Sequence, residues 1–223
     1  MQTALIIDTE VWSLKTKEVI QMAWLGVPSK NGRIVQMEFR PQGEPEMGAI
    51  ATHMISLEEI EEKAVDDSSN AIRYLPKTDY VIGHNVDFDA DVLGGLPGVK
   101  RICTLAMARY FYPNLDSHRL TALYLACFGV NSITLGVIKN AHRAGDDVWI
   151  CKEILSNVCG IGVGETEDWA ERMWQFSEKA RIPTTMPYGK HKGELIADVP
   201  RDYKQWLLAK DDVDPYLRRA LEN

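Results

Sequence analysis

The chain predicts an α/β domain, a mixed sheet flanked by helices, followed by a small α+β module. Three observations carry that prediction. Ala4 to Val11 is a short, partly β-branched apolar run that ends abruptly in acids, which reads as a strand buried on both faces, the central kind in an α/β sheet. The segments that follow form a three-strand meander and then strands that run directly into helices. From Pro183 the texture changes, and about forty residues carry turn, strand and helix signals of their own, few enough to be marginal unless docked on the main body.

The 223 residues are 45% hydrophobic and 26% charged, an ordinary globular composition that leaves room for one moderate domain and an appendage. The expected division is 1–160, a linker helix over 161–182, and the module over 183–223. A net charge of −7 argues against coating duplex DNA through the whole surface and leaves a local nucleic-acid site open. Cys103, Cys127, Cys151 and Cys159 form no C-x-x-C and read as buried free thiols of a reducing compartment. With no secretion signal and no long apolar span, a cytoplasmic protein without a membrane partner is expected.

In order, Glu18 to Val27 and Arg33 to Arg40 read as the second and third strands, joined by the hairpin signal Asn31-Gly32. Pro41 to Ala51 reads as irregular, and Ser56 with Glu59 as the capped start of a short acidic helix. A further helical segment spans Ser68 to Leu75. Asp79 to Gly83 is the fourth strand; its continuation runs straight into a helix that stops at Gly94-Gly95. Val99 to Thr104 is the fifth strand, followed by helices to Tyr112, over Ser117 to Phe128, from about Asn140 to Val158 and over Thr166 to Ala180. Gly160, Gly162 and Gly164 follow no strand and suit a flexible joint better than a dinucleotide motif. In the module, Glu194 to Val199 reads as a short strand, and Pro200 and Asp214-Pro215 start helices.

Side chains alternate along a strand, so Asp8 and Glu10 point the same way. Two neighbouring carboxylates at the end of a buried strand need a cation or proton between them, and all-oxygen ligands suit Mg²⁺ or Mn²⁺. A lone Asp-x-Glu is more often a solvated pair in a loop, so partners must come from elsewhere. Asp89 shares a helix face with Val92, Leu93 and Leu96, whereas Asp87 reads as first-turn charge facing the helix dipole. Asp147 lies on the apolar stripe Ala144, Cys151, Ile154 and Val158, and a carboxylate on a core stripe needs a partner. His142 lies about 140° round from Asp147 on an ideal helix, so both reach one site only if His142 sits at the frayed start.

The stretches IIDTE, GHNVDFD and HRAGDD, in this order and on these elements, resemble the DEDDh group of DnaQ-like 3′–5′ exonucleases over roughly Thr3 to Val158. The tail MPYGKHKGELIADVPRDYKQWLL is similar to the module that follows the nuclease domain in exodeoxyribonuclease X-like proteins. The resemblance implies a ribonuclease-H-like fold with a five-stranded mixed sheet. It also implies Asp8, Glu10, Asp89 and Asp147 as ligands of two Mg²⁺ or Mn²⁺ ions about 3.5–4 Å apart, with Asp8 bridging. His142, an imidazole with an unperturbed pKa of about 6.5, would take the proton of the attacking water. The implied product is a nucleoside 5′-monophosphate released from a DNA 3′ end, with Thr9, Val11 and His53 contacting the terminal nucleotide. Met54 stands where many relatives have glycine. Tyr188, Lys190 and Lys192, on a tight basic turn, suit DNA contact upstream of the end and equally suit a solvated turn. RNA remains a possible substrate for the same catalytic set, and a partner-binding proofreading subunit is the reading from another class.

Overall fold

A computed structural model describes residues 3–28, 32–159 and 163–222. Asn31 of the expected hairpin turn, Gly160 and Gly162 of the expected joint, and the side chains of Val158 and Cys159 lie outside what is described.

Strands β1 (Ala4–Val11), β2 (Val19–Val27) and β3 (Val35–Arg40) form the antiparallel meander, with Asp8 opposite Ala23 and Gln21 opposite both Glu10 and Glu38. Helices α1 (Met47–His53) and α2 (Leu57–Lys63) lead to β4 (Ala64–Asp67), which pairs parallel with β3. After a 3₁₀ segment over Ser68–Tyr74, β5 (Tyr80–Gly83) feeds α3 (Val86–Val92), and β6 (Lys100–Cys103) feeds α4 (Thr104–Phe111). Then come α5 (Leu120–Phe128), α6 (Ser132–Ile138), α7 (Ala144–Cys159), α8 (Trp169–Ala180), α9 (Arg201–Leu208) and α10 (Pro215–Glu222). The sheet order is β4-β3-β2-β1-β5-β6, with β1, β5 and β6 parallel.

The alternation of β1 sorts the core into two layers. Ala4 and Ile6 join Ala23 and Leu25 of β2 beneath Ala144, Val148, Cys151 and Ile154 of α7. Leu5 and Ile7 join Val81 beneath Val86 and Ala90 of α3 and Leu93 at its end. Asp8 and Glu10 continue the Ala4–Ile6 side, so the strand aims both acids at the α7 layer. Trp169, Ala170 and Met173 of α8 are fully buried in that layer, so the expected linker helix is docked into the body.

Four expectations change. Among the described residues the sheet has six strands, not five: AVDD of β4 has too little apolar content and alternation to signal a strand, and its partner β3 makes it one. Residues 47–51, expected to be irregular, belong to the helix Met47–His53 despite Gly48. Residues 132–138 form a helix of their own, started by a capping box between Asn131 and Thr134. The strand expected at Glu194 to Val199 is a 3₁₀ turn over Ile196–Asp198 with a single bridge, Thr185↔Leu195, so the module is helical rather than α+β. Pro200 has no N–H to extend a ladder.

The module has its own small core, including Met186, Ile196, Leu207, Leu217 and Leu221. Arg181 fastens it to the body. Its guanidinium pairs with Asp87 and stands 5.2 Å from the Tyr216 ring centre, and the Tyr216 hydroxyl donates to Glu178 at 2.9 Å. Asp87, also 3.3 Å from Arg101, is thus an ion-pair partner rather than a free first-turn charge.

Candidate active site

Four acids from three parts of the chain meet above the sheet. Asp8 and Glu10 lie on β1, where the register shifts between Glu10 and Val11, the kind of bulge that re-aims side chains at a strand end. Asp89 is buried in the first turn of α3. Its Oδ1 accepts from the Thr9 N–H at 2.9 Å and the Thr9 hydroxyl at 2.8 Å, tying the α3 acid to β1. Asp147 is buried in the first turn of α7; its Oδ2 accepts from the His142 N–H at 3.1 Å, while its Oδ1 is buried without a partner. His142 lies outside the helix, exposed, with φ of 70°.

The carboxyls sense one another. Asp8 is pushed well above the usual carboxylate range, first by burial and then by Asp89, Asp147 and Glu10. Glu10 is raised to about 9 by burial and by Asp147 and Asp89. Asp89 rises to about 7 through burial, against the two Thr9 hydrogen bonds that favour its anion. Asp147 rises to about 6, again through burial, against the His142 N–H. Four acids held this closely cannot all be ionised without a positive partner.

The donor set suits a hard divalent cation: ligand atoms of Glu10, His142 and Asp147 lie within 4.8 Å of one another, and the orphaned Asp147 Oδ1 lacks a proton donor that a cation would replace. Asp8 joins the cluster through the charges of Asp89, Asp147 and Glu10, and Asp89 through that of Asp147. Behind it, a neutral His84, pushed down to about 4 by burial, bridges Thr104 Oγ1 at 3.1 Å and the His118 carbonyl at 2.7 Å.

The residues expected at the terminal nucleotide divide. Thr9 and Val11 are buried, and the Thr9 hydroxyl is committed to Asp89. His53 is 2% exposed; its Nδ1 accepts from the Ile55 N–H at 3.0 Å, and its Nε2 is buried without a hydrogen bond. Burial lowers its pKa, as do the charges of Arg143 and His142, against the opposing influence of the Val11 backbone. His53 therefore stands neutral beside Val11 and the His142 loop. Met54 caps α1 with φ of 53°, a left-handed conformation that explains why glycine serves at this position. Tyr188, Lys190 and Lys192 are exposed on the module's turn, and among the described residues no hydrogen bond or ion pair joins them to the acids.

Sequence reasoning missed the polar frame around the start of α7. The Gln21 Oε1 accepts from the Ala144 N–H at 2.7 Å, and the Gln36 Oε1 from the Gly145 N–H at 3.0 Å. Glu38 Oε1 in turn accepts from Gln21 Nε2 at 3.2 Å and Gln36 Nε2 at 2.8 Å. The available signal was Gln21, a polar residue inside the apolar run of β2.

Among known proteins, the chain is similar to exodeoxyribonuclease 10 of Escherichia coli strain K12, 30% identical over 227 residues spanning 98% of this chain and 96% of that one. Exodeoxyribonuclease 10 of Escherichia coli O6:H1 matches to the same extent. Residues 179–216 match the family described as "Putative quorum-sensing-regulated virulence factor". In structure, the chain is similar to exonuclease X in complex with 5′ overhanging duplex DNA (TM-score 0.59, 23% identity, 77% of this chain and 99% of that one). It is also similar to Escherichia coli exonuclease I in complex with a dA16 oligonucleotide (TM-score 0.56, 19% identity, 83% of this chain and 46% of that one).

Proposed function

The chain belongs to the exodeoxyribonuclease 10 family of DnaQ-like exonucleases, and from that premise we propose that it removes nucleoside 5′-monophosphates from DNA 3′ ends, on single strands or frayed duplexes. The observation that supports this best is the convergence of Asp8, Glu10, Asp89 and Asp147 in one buried pocket, where Asp89 and Asp147 both raise the pKa of Asp8 and of Glu10. In this reading the four carboxylates hold two Mg²⁺ or Mn²⁺ ions. Such ions, when bound, shield the phosphate, acidify water and stabilise the leaving oxygen. Ionised acids would hold the cations, with Asp8, which senses the charges of the other three, among them.

His142 supplies the base. Its ring is at the open side of the pocket, near Glu10 and Asp147, where it takes the proton of the attacking water and later releases it to solvent. The Asp147 carboxylate holds the His142 backbone in place. Neutral His53 and the Thr9–Val11 backbone receive the terminal nucleotide. Tyr188, Lys190 and Lys192 bind the strand upstream through stacking and phosphate contact. We retain the division into a nuclease domain over 1–160, a docked joining helix over 161–182 and a module over 183–223, in a cytoplasmic protein.

The test is degradation of 3′-labelled DNA and RNA oligonucleotides with Mn²⁺. DNA loses its terminal nucleotide, a blocked 3′ end abolishes product, and Asp8→Ala abolishes cleavage while DNA binding persists. Cleavage that survives Asp8→Ala refutes the metal role. A cut circular strand refutes end-dependence, and degradation of RNA alone refutes the substrate class.

A further inference from the structure

Besides the Asp147 carboxylate, the loop bearing His142 is held by groups that neither ligate nor touch the reacting atoms. A non-glycine residue at φ of 70° keeps that conformation only where its surroundings impose it. The first N–H groups of a helix have no partners within it, and here the sheet supplies them through Gln21 and Gln36, both braced by Glu38. On the opposite side, Arg143 engages Glu59 with two parallel contacts: Nη1 to Oε1, and Nη2 to Oε2 at 3.1 Å. Such a fork fixes direction as well as distance.

Glu59 is itself held rigidly. Its backbone N–H caps onto Ser56 Oγ at 3.2 Å and its carboxylate meets Lys63 at 3.1 Å, one turn along α2. The adjoining Ile60 is fully buried with Trp12, Ile20 and Ile55, and the Ile55 N–H is the donor to His53. A continuous path therefore runs from His142 through Arg143 and Glu59 to the segment that ends at His53.

We propose that Glu59 and Arg143 are positioning residues for phosphodiester hydrolysis, their ion pair locking the His142 loop to the α1–α2 segment so that the proton acceptor is aligned where the terminal nucleotide is gripped. The proposal rests on the reading of His142 as the base and of His53 as part of the nucleotide grip. The pair is half-exposed, with side-chain exposures of 35% and 25%, so its loss costs little stability. That separates alignment from folding.

The experiment compares Arg143→Gln, Glu59→Gln, the exchanged pair Glu59→Arg with Arg143→Glu, and His142→Ala. Cleavage of a 3′-labelled oligonucleotide with Mn²⁺ is followed alongside thermal unfolding. Each single variant is expected to lower kcat about 10- to 100-fold, the size of effect a small misplacement produces, with KM nearly unchanged. Tm is expected to move by less than about 4 °C. The exchanged pair recovers most of kcat, and Arg143→Gln adds no further loss in a His142→Ala background. Wild-type kcat in both single variants, or a loss confined to KM because Arg143 itself binds phosphate, overturns the proposal. If His142→Ala keeps wild-type activity, the base assignment fails instead, which the single variants report separately.

Discussion

Without divalent cations, the protein is expected to lose stability as pH rises from about 7 to about 9. The acid responsible is Glu10, held protonated up to about 9 against an ordinary value of 4.5. A raised carboxyl pKa means that the folded chain keeps a proton the unfolded chain has already released, so unfolding becomes more favourable with each step of pH until the folded group also ionises. Across about two pH units at 1.36 kcal/mol each, Glu10 alone removes about 3 kcal/mol. For a chain of this size that lowers Tm by about 6–12 °C. Asp8, raised in the same direction, adds to the decline. The window matters: His84, pushed down to about 4, stabilises with rising pH but completes its effect below about pH 6.5, and Glu59, lowered to about 2, acts only in acid. Thermal unfolding by circular dichroism in EDTA measures the decline. Glu10→Gln should flatten it, and saturating Mn²⁺ should raise Tm more at the higher pH, because metal binding displaces the protons. A metal-free Tm that is level or rising across this window, or a metal effect independent of pH, would refute the reasoning.

Other outcomes follow from single contacts. Arg181→Ala, which breaks the link among Asp87, Glu178 and Tyr216, should cost about 2 kcal/mol and open the chain near Ile182 to limited proteolysis. Met54→Gly removes a left-handed non-glycine residue and should leave urea stability unchanged or higher by about 1 kcal/mol. Gln21→Ala strands the buried Ala144 N–H and removes one donor to Glu38. A loss of about 1–3 kcal/mol in the same urea experiment is expected, with reduced cleavage because α7 shifts.

How much of this was legible depended on whether the signal was local. Asp8 and Glu10 were readable because a buried strand imposes alternation on its own residues. Asp89 and Asp147 were readable because helical spacing places each on an apolar stripe, with Leu93 and Leu96 or Ala144 and Cys151 as neighbours. The start of α7 at Ala144 leaves His142 outside the helix, as the angular argument required. What stayed hidden is settled between distant segments. AVDD becomes a strand only because β3 offers an edge, and Gln21 caps Ala144 from 123 positions away. Asp87 looked like a helix-terminal charge because Arg181 approaches it from 94 residues downstream. Met54 in the left-handed region was foreshadowed by glycine in relatives, but its conformation arises only once α1 forms.

The most direct test of the account is Mn²⁺ binding, measured by calorimetry on the wild type and on Asp8→Asn, Glu10→Gln, Asp89→Asn and Asp147→Asn. If the four acids share their ions, every single substitution weakens binding and lowers the number of ions held. Wild-type affinity and stoichiometry in any one of them would contradict a common site.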